Sequence, residues 1–284
     1  MSLPMLPFRI PLGWAALGPM EAGALAGILL AAVLARRRME PLGVSGTALW
    51  DLALGALVGG AAGARLFCAV PAWIRGTEAS GGSGIYGGLA GGALALALVA
   101  RLRRLPALGV MDAAASVAPA GFALGKLGCF LAGCCYGIPC GIPPGVRFPP
   151  GSLAFETHRS AGLLPPGGRS SLAVHPTQLY ELTFGLALFA GLSLLFRRPH
   201  RRGTVLVAGA VLYSAWRFGI EFLRDDPGRH GFGASALTDA QISALAVGAA
   251  AAAAGIALRR RAPAEASPTP PPPPTSPPPP RRAP

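Results

Sequence analysis

The sequence predicts an all-α polytopic membrane protein with seven transmembrane helices, and three observations carry that prediction. The chain is 52% hydrophobic and only 13% charged, where soluble domains average about 25% charged residues. Its apolar runs recur seven times at close to the roughly 20 residues that cross a bilayer. Arginine clusters close every second run.

The runs are 14–35, 48–73, 85–100, 107–131, 178–196, 203–223 and 236–258. Each is uncharged for long enough to favour lipid over a soluble core. The first ends in Arg36-Arg37-Arg38 and lacks a basic leader followed by a small-residue cleavage site, so it reads as a retained span. Together they define one membrane domain over 1–262. Residues 263–284 are mostly proline with a few small residues, which cannot build a core and are expected to form an extended, disordered tail.

Orientation follows from the arginines. Arg36–Arg38 follow the first span, Arg101, Arg103 and Arg104 the third, Arg197, Arg198, Arg201 and Arg202 the fifth, and Arg259–Arg261 the seventh. Basic residues concentrate in cytoplasmic loops. The N-terminus is therefore expected outside and the C-terminus in the cytoplasm, with the loops at 74–84, 132–177 and 224–235 facing outward. This alternation also accounts for the net charge of +13 without nucleic acid, whose binders gather their basic groups on one face or tail.

Glycines recur at four-residue spacing: Gly55, Gly59 and Gly63 in the second span, Gly87 and Gly91 in the third, Gly121 and Gly125 in the fourth. Small residues at this spacing let helix backbones approach closely in lipid.

Several polar residues do not belong in lipid unless they are paired or functional. The stretch Gly125–Cys140 holds the chain's single lysine, Lys126, and four of its five cysteines. Arg217, Glu221 and Arg224 stand at i, i+4 and i+7, a spacing that puts all three on one helical face. Arg217 would lie about 10 Å below the outer end at about 1.5 Å per residue. The segment His175-Pro176-Thr177-Gln178-Leu179-Tyr180-Glu181 opens the fifth span with four polar groups. Tyr86-Gly87-Gly88 opens the third, where residues without Cβ allow close approach of a ligand. Tyr86, Lys126, His175, Glu181, Arg217 and Glu221 all fall near the outer surface. Such a set suits chemistry at a phospholipid headgroup, where cations hold a phosphate and a base takes a proton. An internal ion pair that fixes packing is the other reading of Arg217 and Glu221.

These residues resemble the prolipoprotein diacylglyceryl transferase family. His175–Glu181 is similar to the family's His-Pro-Ser/Thr-Gln-Leu-Tyr-Glu segment. Arg217-Phe218-Gly219-Ile220-Glu221-Phe222-Leu223-Arg224 resembles its Arg-Phe-x-x-Glu-Phe-x-Arg helix. Gly125 through Gly137 resembles its Gly-Arg-x-Gly-Asn-Phe-x-Asn-x-Glu signature, and Tyr86-Gly87-Gly88-Leu89 its His-Gly-Gly-Leu segment. The resemblance covers about 10–261 and implies a bacterial inner-membrane transferase with an outward-facing active site. Its implied partners are phosphatidylglycerol, preprolipoprotein signal peptides and the membrane lipid. The reaction moves a diacylglyceryl group to a lipobox cysteine thiol, forms a thioether and releases glycerol phosphate.

Carried over by position, Lys126, Arg217, Arg224, Gly87 and Gly88 become phosphate-binding residues, and His175, Glu221, Tyr86 and Glu181 the catalytic candidates. No cofactor is implied. The departures are specific. Tyr86 replaces the family's histidine, and a phenol of unperturbed pKa about 10 is a poor base at neutral pH. Lys126 replaces an arginine, so a point charge replaces a fork. Cys129 and Ala132 replace the signature asparagines, Cys134 its acidic residue, and the first span has no tyrosine. The base role then moves to His175 or Glu221, or the chemistry differs. A paralogue with another transfer or cysteine-based chemistry, and a non-catalytic lipid-binding protein, stay open beside the transferase.

Cys134, Cys135 and Cys140 are expected to face an oxidising compartment. A disulfide from Cys140 to one of the vicinal pair is the leading expectation, and no metal site is read from the sequence because few further ligands lie close in the chain.

The topology has a direct check. Green fluorescent protein fused after Arg198 or at the C-terminus is expected to fluoresce, and alkaline phosphatase fused within 132–177 is expected to be active. Active phosphatase at the C-terminus would reverse the orientation.

Overall fold

The computed structural model describes residues 10–11, 16–75, 84–141, 143–225 and 237–260. The proline-rich stretch 263–284 and most of the loops at 74–84 and 224–235 lie outside the described residues. The helices are α1 (Pro19–Met39), α2 (Gly46–Arg75), α3 (Gly84–Leu102), α4 (Ala107–Ala132), α5 (Leu153–Ser160), α6 (Thr177–Arg197), α7 (Thr204–Ile220) and α8 (Asp239–Arg260). Seven of them, all but α5, are long and apolar enough to cross a membrane. The one strand pairing among the described residues is a two-residue antiparallel contact, Ile10↔Leu17 and Pro11↔Ala16.

The spans match the apolar runs to within a few residues at each end. The first is displaced, starting at Pro19 because Gly18 caps it and the Gly18 N–H donates to Glu21 Oε2 at 3.0 Å. Proline at the first helical position suits this start, since its missing N–H has no partner there in any helix. Large apolar side chains stay exposed around the bundle, among them Leu54, Leu66, Leu94 and Leu98, as lipid contact requires.

Small residues bring the helices together in pairs. A Cβ on Gly63 of α2 would meet Gly87 O of α3 at 2.2 Å, and one on Gly59 would meet Gly91 O at 2.7 Å. In α1 and α4, a Cβ on Gly27 would meet Gly121 O at 2.3 Å, and one on Gly128 would meet Pro19 O at 2.6 Å. The partner of Gly121 along α4 is therefore Gly128 and not Gly125, whose Cβ direction has nothing within 4 Å. Seven residues are close to two helical turns, which keeps Gly121 and Gly128 on the face that meets α1.

The basic ends of the spans meet. Arg38 of α1 donates to Ser193 Oγ of α6 at 2.8 Å and lies 5.5 Å from the ring centroids of Phe189 and Phe196. Arg201 Nη1 donates to Arg259 O of α8 at 3.1 Å. Buried Asp112 of α4 accepts from Gly203 N at 2.6 Å and Leu206 N at 2.8 Å. It thereby caps the start of α7 from a neighbouring helix, satisfying donors that no residue of α7 reaches.

At the other end, residues 133–176 form a folded layer. Ser152 caps α5, its Oγ accepting from Phe155 N at 3.2 Å. Tyr136, Phe148, Ala154 and Val174 form a small core. His158 packs edge-on against Tyr136 and its Nδ1 accepts from Leu172 N at 3.3 Å. Burial pushes the His158 pKa below the usual imidazole range, against an opposing pull from Asp225, so the ring is the neutral acceptor that this bond needs.

Gly63→Ala places a methyl on the backbone of α3 and is expected to destabilise the protein by about 1–3 kcal/mol, as overpacking does. Gly60→Ala, whose Cβ would lie 3.5 Å from Gly88 O, should be tolerated. Thermal unfolding of both variants in nanodiscs tests this, and equal stability would refute the packing assignment.

Candidate active site

Five charged side chains converge where α4, α6 and α7 meet the layer of residues 133–176, here called the outer layer from the expected topology. Three are set by their place on a membrane-spanning helix. Lys126 stands in the penultimate turn of α4, Glu181 in the second turn of α6, and Arg217 in the last turn of α7. Because α6 runs antiparallel to both, these positions come to one depth.

Glu181 is the hub. Its Oε2 accepts from Lys126 Nζ at 2.5 Å and from Arg224 Nη1 at 3.3 Å. Glu181 is buried, and Lys126 and Arg224 nearly so. Lys126 Nζ also sits 5.4 Å from the Phe122 ring centroid, a favourable place for a cation. Arg217 pairs with Glu221 one turn on, and both are buried. The i, i+4 expectation for Arg217 and Glu221 holds.

Arg224 does not continue that helical face. The α-helix ends at Ile220, Glu221–Leu223 tighten to a 3₁₀ turn, and Arg224 is extended at φ −88° and ψ 145°. It forms an antiparallel bridge with Gly137 of the outer layer. Gly137 is required there, because a Cβ would meet Leu223 O at 2.4 Å. The extended backbone turns the Arg224 side chain to Glu181 of α6, away from the Arg217 face.

Tyr86 of α3 is buried, and its ring centroid lies 6.3 Å from that of Tyr213. Neither hydroxyl has a hydrogen-bond partner among the described residues. Tyr213 went unnoticed in the sequence, although it stands one turn before Arg217 on the same face. Tyr213 also packs edge-on against Phe122, at 5.7 Å. Gly87 and Gly88 are accounted for differently than expected. The Cβ of Gly87 would collide with Gly63 O and Phe67 Cβ at 2.3 Å each, and that of Gly88 would lie 3.4 Å from Gly60 O. Both glycines serve the contact with α2.

His175 lies half-buried at the edge of this group. Its Nδ1 is 3.2 Å from Tyr180 Oη, its partner among the described residues. Its backbone is paired to the outer layer through His175 N to Ile138 O and Gly137 N to His175 O, both at 3.0 Å. Gln178 and Thr177 have scaffold roles: Gln178 Nε2 donates to Cys134 O and Thr177 Oγ1 to Cys135 O, both at 2.7 Å.

The cysteines correct an expectation. All five are thiols, and the sulfur atoms of Cys134 and Cys135 gather with that of Cys129, not with Cys140. The reason is the helix end. Gly133 adopts φ +67° and Cys134 N donates to Cys129 O at 3.1 Å, folding the pair back over the last turn of α4. Buried Cys140 is carried off along the edge of the layer, where its N–H donates to Ala173 O at 2.8 Å. Hydrogen bonds from Cys129 and Cys134 push the Cys135 thiol far down, with help from Lys126 and Arg224.

Comparison with known proteins places this geometry. The family description "prolipoprotein diacylglyceryl transferase" matches residues 22–257. The chain is 34% identical over 210 residues to a protein of Chromohalobacter salexigens named phosphatidylglycerol–prolipoprotein diacylglyceryl transferase, covering 70% of this chain and 72% of that one. A protein of the same name from Xylella fastidiosa strain M23 is 34% identical over 230 residues, covering 70% and 75%. One from Clostridium tetani is 29% identical over 210 residues, covering 71% and 78%. The chain, with seven helices long and apolar enough to cross a membrane, belongs to the prolipoprotein diacylglyceryl transferase family.

Proposed function

We propose that the chain transfers the diacylglyceryl group of phosphatidylglycerol to the lipobox cysteine thiol of preprolipoproteins, on the outer side of the bacterial inner membrane. The observation that carries this reading is the burial of Lys126, Arg217 and Arg224 at one membrane depth, each against a carboxylate. Three cations against two carboxylates leave an excess positive charge, which matches an anionic headgroup. The outward placement rests on the arginine clusters and is supported by the meeting of Arg38 with α6 and of Arg201 with α8 at the opposite end of the bundle.

The chemistry follows from the pairing. The incoming sulfur forms a bond to the glyceryl carbon, the carbon–oxygen bond to phosphate breaks, and glycerol phosphate leaves with the electron pair. The thiol proton passes to a base. Glu181 and Glu221 are each held by cations, Glu181 by Lys126 and Arg224 and Glu221 by Arg217. A phosphate that engages Lys126 and Arg224 takes those cations from Glu181 and leaves its carboxylate able to accept the proton. Arg217 and Glu221 form the parallel pair. Tyr86 and Tyr213, whose hydroxyls are unpartnered among the described residues, are placed to donate to phosphate oxygens. His175, bound to Tyr180, stands at the rim where the peptide arrives.

In a strain depleted of its own transferase, the chain is expected to restore lipoprotein modification, read as the mobility shift of a reporter lipoprotein. A chain that is inserted yet leaves the reporter unmodified would favour a paralogue with another acceptor, the reading that Tyr86 and Lys126 keep open. In the purified enzyme, Arg217→Ala and Lys126→Ala are each expected to lower turnover by roughly 10²–10³-fold, the loss that follows removal of one charge-stabilising donor. Lys126→Arg should recover most of it. Wild-type turnover in both alanine variants would refute the site.

A further inference from the structure

The three sulfur atoms at the end of α4 are not used by the proposed transfer, and their surroundings point to a ligand. The Sγ atoms of Cys129, Cys134 and Cys135 all lie within 4.8 Å of one another. A trigonal set of metal–sulfur bonds of about 2.3 Å puts sulfurs about 4.0 Å apart, so the spacing already fits one ion. A fourth soft donor stands beside them. Met20 Sδ of α1 lies 3.8 Å from Cys134 Sγ. It is there because Gly128 has no side chain, where a Cβ would sit 3.2 Å from Met20 O.

The backbone of the cluster is held from outside. Gln178 fixes the carbonyl of Cys134 and Thr177 that of Cys135. Cys135 adopts φ +58°, a left-handed conformation that is costly for a residue with a Cβ and persists only where its surroundings enforce it. Here it turns the Cys135 sulfur back onto α4. Among the described residues, no histidine or carboxylate completes the set within the same sphere. Three thiols and a thioether, with no hard donor, select a soft d¹⁰ cation over Mg²⁺, Ca²⁺ or Mn²⁺, and the thioether favours Cu⁺ over Zn²⁺.

We propose that Cys129, Cys134 and Cys135, with Met20 as a weaker fourth ligand, form a binding site for one Cu⁺ ion at the outer end of α4. Binding exchanges three thiol protons for the metal and involves no change of oxidation state. The resulting anionic centre lies beside Lys126 and Arg224, whose charges act on Cys135. No metal set is read from the sequence because Cys129 falls inside a membrane helix and Met20 lies 109 positions upstream of it.

The test uses the full-length chain in detergent or nanodiscs, reduced with a thiol-free phosphine and titrated anaerobically with Cu⁺ against a chromophoric chelator of known affinity. One Cu⁺ per chain is expected, with an X-ray absorption spectrum that shows sulfur alone in the first shell. Cys129→Ser, Cys134→Ser and Cys135→Ser should each weaken binding at least about 100-fold, the upper end of what loss of a ligand's outer-shell support alone produces. Met20→Leu should have a smaller effect, and Cys68→Ser with Cys140→Ser none. Cadmium charge-transfer absorbance gives an independent readout, and size-exclusion behaviour confirms that the serine variants are folded. Absence of binding, binding that survives replacement of all three cysteines, tighter binding of Zn²⁺ than of Cu⁺, or a disulfide among the three in protein freshly taken from membranes would each overturn the assignment.

Discussion

The structure depends on the ionic contacts of Glu181. One carboxylate in the second turn of α6 holds a lysine from α4 and an arginine that follows α7. Each of these charges would be expensive alone at membrane depth, and removing one member of a buried pair typically costs about 3–5 kcal/mol. The three elements are therefore bound to a common geometry by the need to keep their charges together. A hydrophobic contact of the same size would hold the helices as well but would offer nothing to a phosphate. The pairing satisfies these charges and, on the proposed function, holds the cations in the arrangement that an anion needs.

Two other constraints leave the Glu181 group little freedom. Glycine contacts set the distance between α1 and α4 and between α2 and α3, which fixes the platform from which Lys126 and Tyr86 project. Asp112 ties the start of α7 to α4 at the far end of the bundle. The charged residues at the outer end thus project from helices whose opposite ends are already joined.

Much of this was legible in the sequence, for reasons that are local. Seven spans follow from hydropathy and the bilayer thickness, and the Arg217–Glu221 pair follows from helical period. Glu181 and Lys126 could be named as charges out of place. What escaped depended on where helices end. The 3₁₀ turn at Glu221–Leu223 took Arg224 off the predicted face, and the left-handed Gly133 sent the cysteine pair back to Cys129 instead of on to Cys140. Helix termini are decided by tertiary partners such as the Gly137 bridge, to which no periodicity points. The packing role of Gly87 and Gly88 escaped for a related reason: a missing side chain admits a ligand or a helix equally well, and the sequence does not show the neighbouring α2.

The outer layer is recognised by α6 through its backbone. Thr177 and Gln178 grip the carbonyl oxygens at positions 135 and 134, and the Gly137 bridge is made by main-chain atoms. Side chains at 134 and 135 take no part in those bonds. A scaffold that reads only the peptide frame at such positions leaves their chemistry open to drift, even one helical turn from a charge it cannot change. Sulfur can therefore occupy positions 134 and 135 without altering the path of the chain around the site.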